Sequence, residues 1–126
     1  MRAWLSRIEL NEWTQMNGTK ATVVADYQAA YSDPLTVLAG DTLHIEREDD
    51  EYPGWLWCVA ADGLAGWVPE PFLVRDGRVA RLRRDYDAGE LTVYAGEQLN
   101  LLEEVNGWWW AVTDAGTMGW VPAAHV

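Results

Sequence analysis

Cysteine occurs once in this chain, at Cys58, and the only phenylalanine is Phe72. A single thiol excludes an intrachain disulfide and cannot by itself hold a metal. Positive charge is also scarce: nine Lys and Arg stand against twenty Asp and Glu, for a net charge of −11. That balance argues against nucleic acid and against anionic membrane surfaces, and favours basic partners. No apolar run approaches the roughly 20 residues of a membrane span. The first 20 residues carry no secretory pattern, so a cytoplasmic protein is expected. Histidine is limited to His44 and His125. No set of acid, base and nucleophile can be assembled around Cys58, so neither catalysis nor a cofactor is expected.

Tryptophan, by contrast, is abundant, with nine copies in 126 residues. The chain also repeats itself. Leu35-Thr36-Val37-Leu38-Ala39-Gly40-Asp41-Thr42-Leu43 returns as Leu91-Thr92-Val93-Tyr94-Ala95-Gly96-Glu97-Gln98-Leu99, an offset of 56 residues. Asp26-Tyr27 returns as Asp85-Tyr86, Gly54-Trp55 as Gly107-Trp108, and Gly66-Trp67-Val68-Pro69 as Gly119-Trp120-Val121-Pro122. Four blocks in one order, twice, mean two copies of a small unit. Units of about 50 residues bury a small share of their surface, so each needs a dense core or help from its neighbour.

Both copies alternate apolar and polar residues, as in Thr42-Leu43-His44-Ile45-Glu46 and Gln98-Leu99-Asn100-Leu101-Leu102. Short alternating runs bounded by Gly, Pro and Asp predict strands of a small barrel or sandwich. The Trp-to-Pro interval is 14 residues in both copies, which marks a rigid hairpin, while the length differences fall in exposed loops. The stretch Val74-Arg75-Asp76-Gly77-Arg78-Val79 places an Asp-Gly turn between two valines. The last strand of copy one is therefore expected to run directly into the first strand of copy two. Residues 1–20 carry Trp4, Leu5, Ile8 and Trp13 in a pattern that leaves a short helix, an added strand and a disordered leader open, and the segment is expected to cap the repeat pair.

These blocks resemble tandem Src homology 3 domains of the divergent kind found in many prokaryotic proteins. The opening motif of that family corresponds to Val23-Val24-Ala25-Asp26-Tyr27 and Leu82-Arg83-Arg84-Asp85-Tyr86. Its second block corresponds to Pro34-Leu35-Thr36-Val37 and Glu90-Leu91-Thr92-Val93, its tryptophan pairs begin at Trp55 and Trp108, and its closing block lies at Gly66 to Pro69 and Gly119 to Pro122. The resemblance implies an all-β chain of two five-stranded antiparallel barrels, over 21–74 and 79–126, after the N-terminal extension.

It also implies grooves of aromatic rings that receive proline-rich, extended peptides. Carried over by position, these comprise Tyr27, Trp55, Pro69 and Phe72 in copy one, and Tyr86, Trp108, Pro122 and His125 in copy two. Acidic residues would pair with a basic side chain of the ligand: Glu90 in copy two, Asp33 beside Pro34 in copy one, and Glu48, Asp49, Asp50 and Glu51 in the loop before Trp55. The chain departs from the family at Ala25 and Arg84, where a first tyrosine is usual, and at Pro71-Phe72 and Ala124-His125, where Asn-Tyr is usual. The Arg84 guanidinium is expected to stack on an aromatic ring and occlude the second groove. Cys58 matches Ala111, so it reads as a core residue.

The function implied is that of a non-enzymatic adaptor for a protein or peptide, basic or proline-rich. The readings that compete with it are a structural scaffold, monomer or homodimer, with its grooves filled internally, and a binder of cell-wall peptides. The adaptor reading requires that Trp55 and Trp108 present their rings to solvent.

Overall fold

The computed structural model describes residues 18–126; most of the expected capping segment, 1–20, lies outside them. In chain order the strands are β1 (Thr19–Thr22), β2 (Thr36–Val37), β3 (Thr42–Glu48), β4 (Trp55–Val59), β5 (Ala65–Pro69), β6 (Leu73–Asp76), β7 (Val79–Leu82), β8 (Tyr86–Asp87), β9 (Gln98–Val105), β10 (Trp108–Thr113) and β11 (Met118–Pro122). Two 3-10 turns, Glu70–Phe72 and Ala123–His125, follow the closing prolines of the two copies. The described residues form no α-helix. The alternation read from sequence is realised: Leu43 and Ile45 point inward while Thr42, His44 and Glu46 do not, and Leu99 and Leu101 repeat the pattern.

The chain divides into two compact units, and these cut across the two repeats. The described part of unit 1 is the continuous stretch Asp33–Ala88, and that of unit 2 joins residues 18–32 to Gly89–Val126. In unit 1 a five-stranded sheet runs in the order β5-β4-β3-β7-β6, with β2 paired to β8. In unit 2 the order is β1-β9-β10-β11. All the sheet pairings are antiparallel. The opening strand of each repeat therefore belongs to the barrel built from the rest of the other. β7, from copy two, pairs with β3 of copy one as Thr42↔Arg81, Leu43↔Ala80 and His44↔Val79. β1, from copy one, pairs with β9 of copy two through Ala21↔Leu99 and Thr22↔Gln98.

The junction supplies the physical reason. β6 and β7 pair in register from Leu73↔Leu82 to Asp76↔Val79, leaving Gly77 and Arg78 as a two-residue loop. Gly77, the first loop residue, takes φ +64°, which a side chain strongly disfavours and glycine accepts. A two-residue hairpin holds its strands side by side in one sheet. The first strand of copy two is thereby committed to the barrel that contains the last strand of copy one. Unit 1 is a circularly permuted barrel, and unit 2 is a barrel interrupted after Ser32 and resumed at Gly89.

Each unit has its own core. Leu35, Leu43, Ile45, Leu56, Cys58, Val68, Ala80 and Leu82 are buried in unit 1. Val23, Leu91, Val93, Leu99, Leu101, Ala111 and Val121 form one cluster in unit 2. Ala80 and Leu82 come from copy two and Val23 from copy one, so each core needs residues from both repeats. A fully buried Leu or Val contributes about 1.5–3 kcal/mol relative to exposure, enough for these few side chains to hold each exchanged strand in place.

Candidate peptide-binding grooves

The Trp-Pro hairpins position the first two groove residues. β4 and β5 place Trp55 opposite Pro69, and β10 and β11 place Trp108 opposite Pro122. The remaining rings arrive with the exchanged strands, so the grouping by copy expected from sequence is corrected. Tyr27 packs edge-on against Trp108 at 5.6 Å and against His125 at 5.4 Å, all within unit 2. Tyr86 packs edge-on against Phe72 at 5.6 Å in unit 1. The eight residues thus regroup as Tyr27, Trp108, Pro122 and His125 in unit 2, and Trp55, Pro69, Phe72 and Tyr86 in unit 1.

Glu90 distinguishes the two sites. In unit 2 its Oε1 accepts the Tyr27 hydroxyl at 2.8 Å and the Ala30 N–H at 2.9 Å. Glu90 and Tyr27 are both half-buried. The equivalent position in copy one is Pro34, which has no carboxylate. In unit 1 the Tyr86 hydroxyl donates instead to the Trp67 carbonyl at 2.6 Å, and Tyr86 is 1 % exposed.

The expectation that Trp55 and Trp108 present their rings to solvent is not met: they are 4 % and 9 % exposed, and Phe72 is 5 % exposed. Arg84 stacks on an aromatic ring as expected, its guanidinium carbon 4.0 Å from the centre of Phe72. The ring is one of copy one, so Arg84 caps the unit 1 cluster rather than the Tyr27–Trp108 site. In unit 2, Tyr27 and His125 keep part of their surface in solvent.

The acidic residues are distributed likewise. Glu48 Oε2 accepts the Gly54 N–H at 2.9 Å and Asp49 Oδ1 accepts the Glu51 N–H at 3.0 Å, so these carboxylates shape their own loop. Burial, together with the nearby charges of Glu51 and Asp49, raises the Tyr52 phenol above its ordinary pKa. Asp33 and Asp50 are exposed. All five acids other than Glu90 lie in unit 1. The described part of unit 2 carries Asp26, Glu90, Glu97, Glu103, Glu104 and Asp114 against one basic residue, Lys20.

Trp57 and Trp110 each meet a cross-strand tryptophan: Trp57 lies edge-on to Trp67 at 5.0 Å, and Trp110 to Trp120 at 5.3 Å. Arg47 adds its guanidinium over both rings of the first pair, 4.8 Å from Trp67 and 5.6 Å from Trp57. The signal was available in the equal hairpin lengths, since residues two in from Trp55 and Pro69 must face each other. Cys58 is fully buried, and burial pushes its thiol up to about 12, which removes the thiolate that a nucleophile needs.

Comparison with known proteins gives the family. Residues 20–74 match the family model described as Variant SH3 domain, and residues 85–123 match that described as SH3 domain. The chain belongs to the SH3 family and carries two such domains in tandem, a family of protein-interaction modules. It is similar to mouse SH3 and PX domain-containing protein 2B, with 24 % identity over 120 residues. That alignment covers 82 % of this chain and 13 % of the mouse protein. No solved structure matches the chain. The matched ranges follow the sequence repeats, whereas the compact units exchange their opening strands.

Proposed function

We propose that this chain is a non-enzymatic protein-recognition module in which unit 2 carries a groove for extended peptides with a basic residue, while unit 1 has a structural role. The carrying observation is the asymmetry between equivalent sites. Tyr27, Glu90 and His125 keep partly exposed surfaces, whereas Tyr86 and Phe72 are enclosed; Trp55 and Trp108 are buried alike, so what unit 2 offers a peptide is the surface of Tyr27, Glu90 and His125 rather than of its indole. An extended proline-rich peptide is preformed in its bound shape and stacks on ring edges with little loss of entropy. The acidic balance of unit 2 favours a cation on that peptide. A single groove of this size binds at about 10 μM, roughly −7 kcal/mol.

The test is a fluorescence titration of the full chain with a synthetic Arg-Ala-Pro-Pro-Ala-Pro-Pro amide. Binding is expected to shift tryptophan emission, to be lost in Tyr27→Ala, and to survive Phe72→Leu. Loss with Phe72→Leu alone would move the groove to unit 1. Absence of any shift, with light scattering showing a dimer independent of concentration, would favour the scaffold reading instead.

A further inference from the structure

His125 stands where copy one has Phe72, and its ring is held in a defined way. Nδ1 lies 3.1 Å from the Asp26 carbonyl oxygen and 3.3 Å from that of Ala25. Carbonyl oxygens only accept, so the proton of the neutral ring must sit on Nδ1. That leaves Nε2 as a bare acceptor, on a residue that keeps part of its surface in solvent, beside the Tyr27 ring. Among the described residues, the side-chain hydrogen bonds of His125 involve Nδ1 alone. Phe72 offers no such atom.

Resting on the reading of unit 2 as a peptide groove, we propose that His125 Nε2 is its specificity-determining acceptor, taking an N–H from the peptide backbone or its basic side chain. Beside the ring, the Tyr27 hydroxyl is held by Glu90, and Asp26 Oδ1 accepts the Ala95 N–H. The groove therefore discriminates by the acceptor that one ring nitrogen offers.

Two measurements on the full chain decide this. First, affinity for the Arg-Ala-Pro-Pro-Ala-Pro-Pro amide is expected to fall about tenfold in His125→Phe, and His125→Gln, which places an amide oxygen near the Nε2 position, should bind as the natural chain does. Equal affinity of His125→Phe and the natural chain, or an equal loss in His125→Gln, would overturn the proposal while leaving the groove intact. Loss of all binding would remove the groove reading and this one with it. Second, imidazole 15N correlation spectra of the free chain are expected to show the proton on Nδ1. A proton on Nε2 in the neutral ring would overturn the assignment whatever the peptide does.

Discussion

The Asp26 carboxylate accepts the Ala95 N–H at 2.7 Å across 69 residues of sequence. Its repeat counterpart, Asp85, accepts the Ala39 N–H at 2.9 Å. In two consecutive barrels Asp26 would meet Ala39 and Asp85 would meet Ala95. The same interaction occurs twice with its partners interchanged, so exchange keeps this contact and alters which segment supplies each half.

That interchange can be read by cross-linking. Thr36 is paired with Asp87 in unit 1, whereas consecutive barrels would set Thr36 opposite Gln28. In a Cys58→Ala background, Thr36→Cys with Asp87→Cys should form a disulfide within the monomer, because Cα partners of a ladder lie within bridging range. Thr36→Cys with Gln28→Cys should not. Mass spectrometry of the oxidised chain distinguishes the two, and the opposite pattern would refute the exchange.

Two glycines make close approaches that differ in kind. A Cβ at Gly119 would come within 3.0 Å of Glu90 and Leu91 backbone atoms, which cannot yield. One at Gly66 would meet the Cβ atoms of Ala88 at 2.9 Å and Leu35 at 3.0 Å. Gly119→Ala and Gly66→Ala should each lower stability by about 1–3 kcal/mol in urea denaturation. Ala88→Gly should restore part of the loss from Gly66→Ala and none of that from Gly119→Ala. Because Ala88 belongs to copy two, this coupling also tests the exchange.

Removing the Arg84 cap should cost little stability and expose a ring. Arg84→Ala is expected to lower stability by about 0.5–1 kcal/mol, the usual size of a cation–π contact near the surface. Arg84→Lys should recover less than half, since an ammonium does not stack as a planar guanidinium does. Thermal denaturation of the three chains measures both. A change in Arg84→Ala above about 2 kcal/mol would mean that Arg84 supports the core rather than lying on Phe72.

Cys58 sets a pH dependence with a definite sign. Burial raises its thiol from the ordinary value of 9.0 to about 12, so between those values the folded chain keeps a proton that the unfolded chain releases. The contribution is fully present below about pH 9 and is lost progressively as pH rises toward about 12. Denaturation at pH 8 to 11 should show a steeper fall for the natural chain than for Cys58→Ala, which the small residue at the equivalent Ala111 makes a tolerated change. Equal slopes would show that the thiol is not shielded.

Much of the fold was legible in the residues because its signals are local. The alternation in Thr42–Glu46 and Gln98–Leu102 set the strands, and the Asp76-Gly77 turn announced that two strands would be joined directly. The grouping of the groove rings was not legible, since the repeats match each other closely enough for either pairing of Tyr27 and Tyr86 to satisfy the same barrel. Burial of Trp55 and Trp108 was equally hidden, because an indole suits a core as well as a groove.

By itself, then, the order of amino acids determined that there are two small all-β units and which segments form strands, and it singled out the aromatic and acidic side chains without dividing them between the units. Only the tertiary structure decided which copy completes which barrel. A hairpin two residues long cannot let go of its partner strand, so Val79–Leu82 closes the unit that holds Leu73–Asp76, and Tyr27 is left to meet Trp108 and His125.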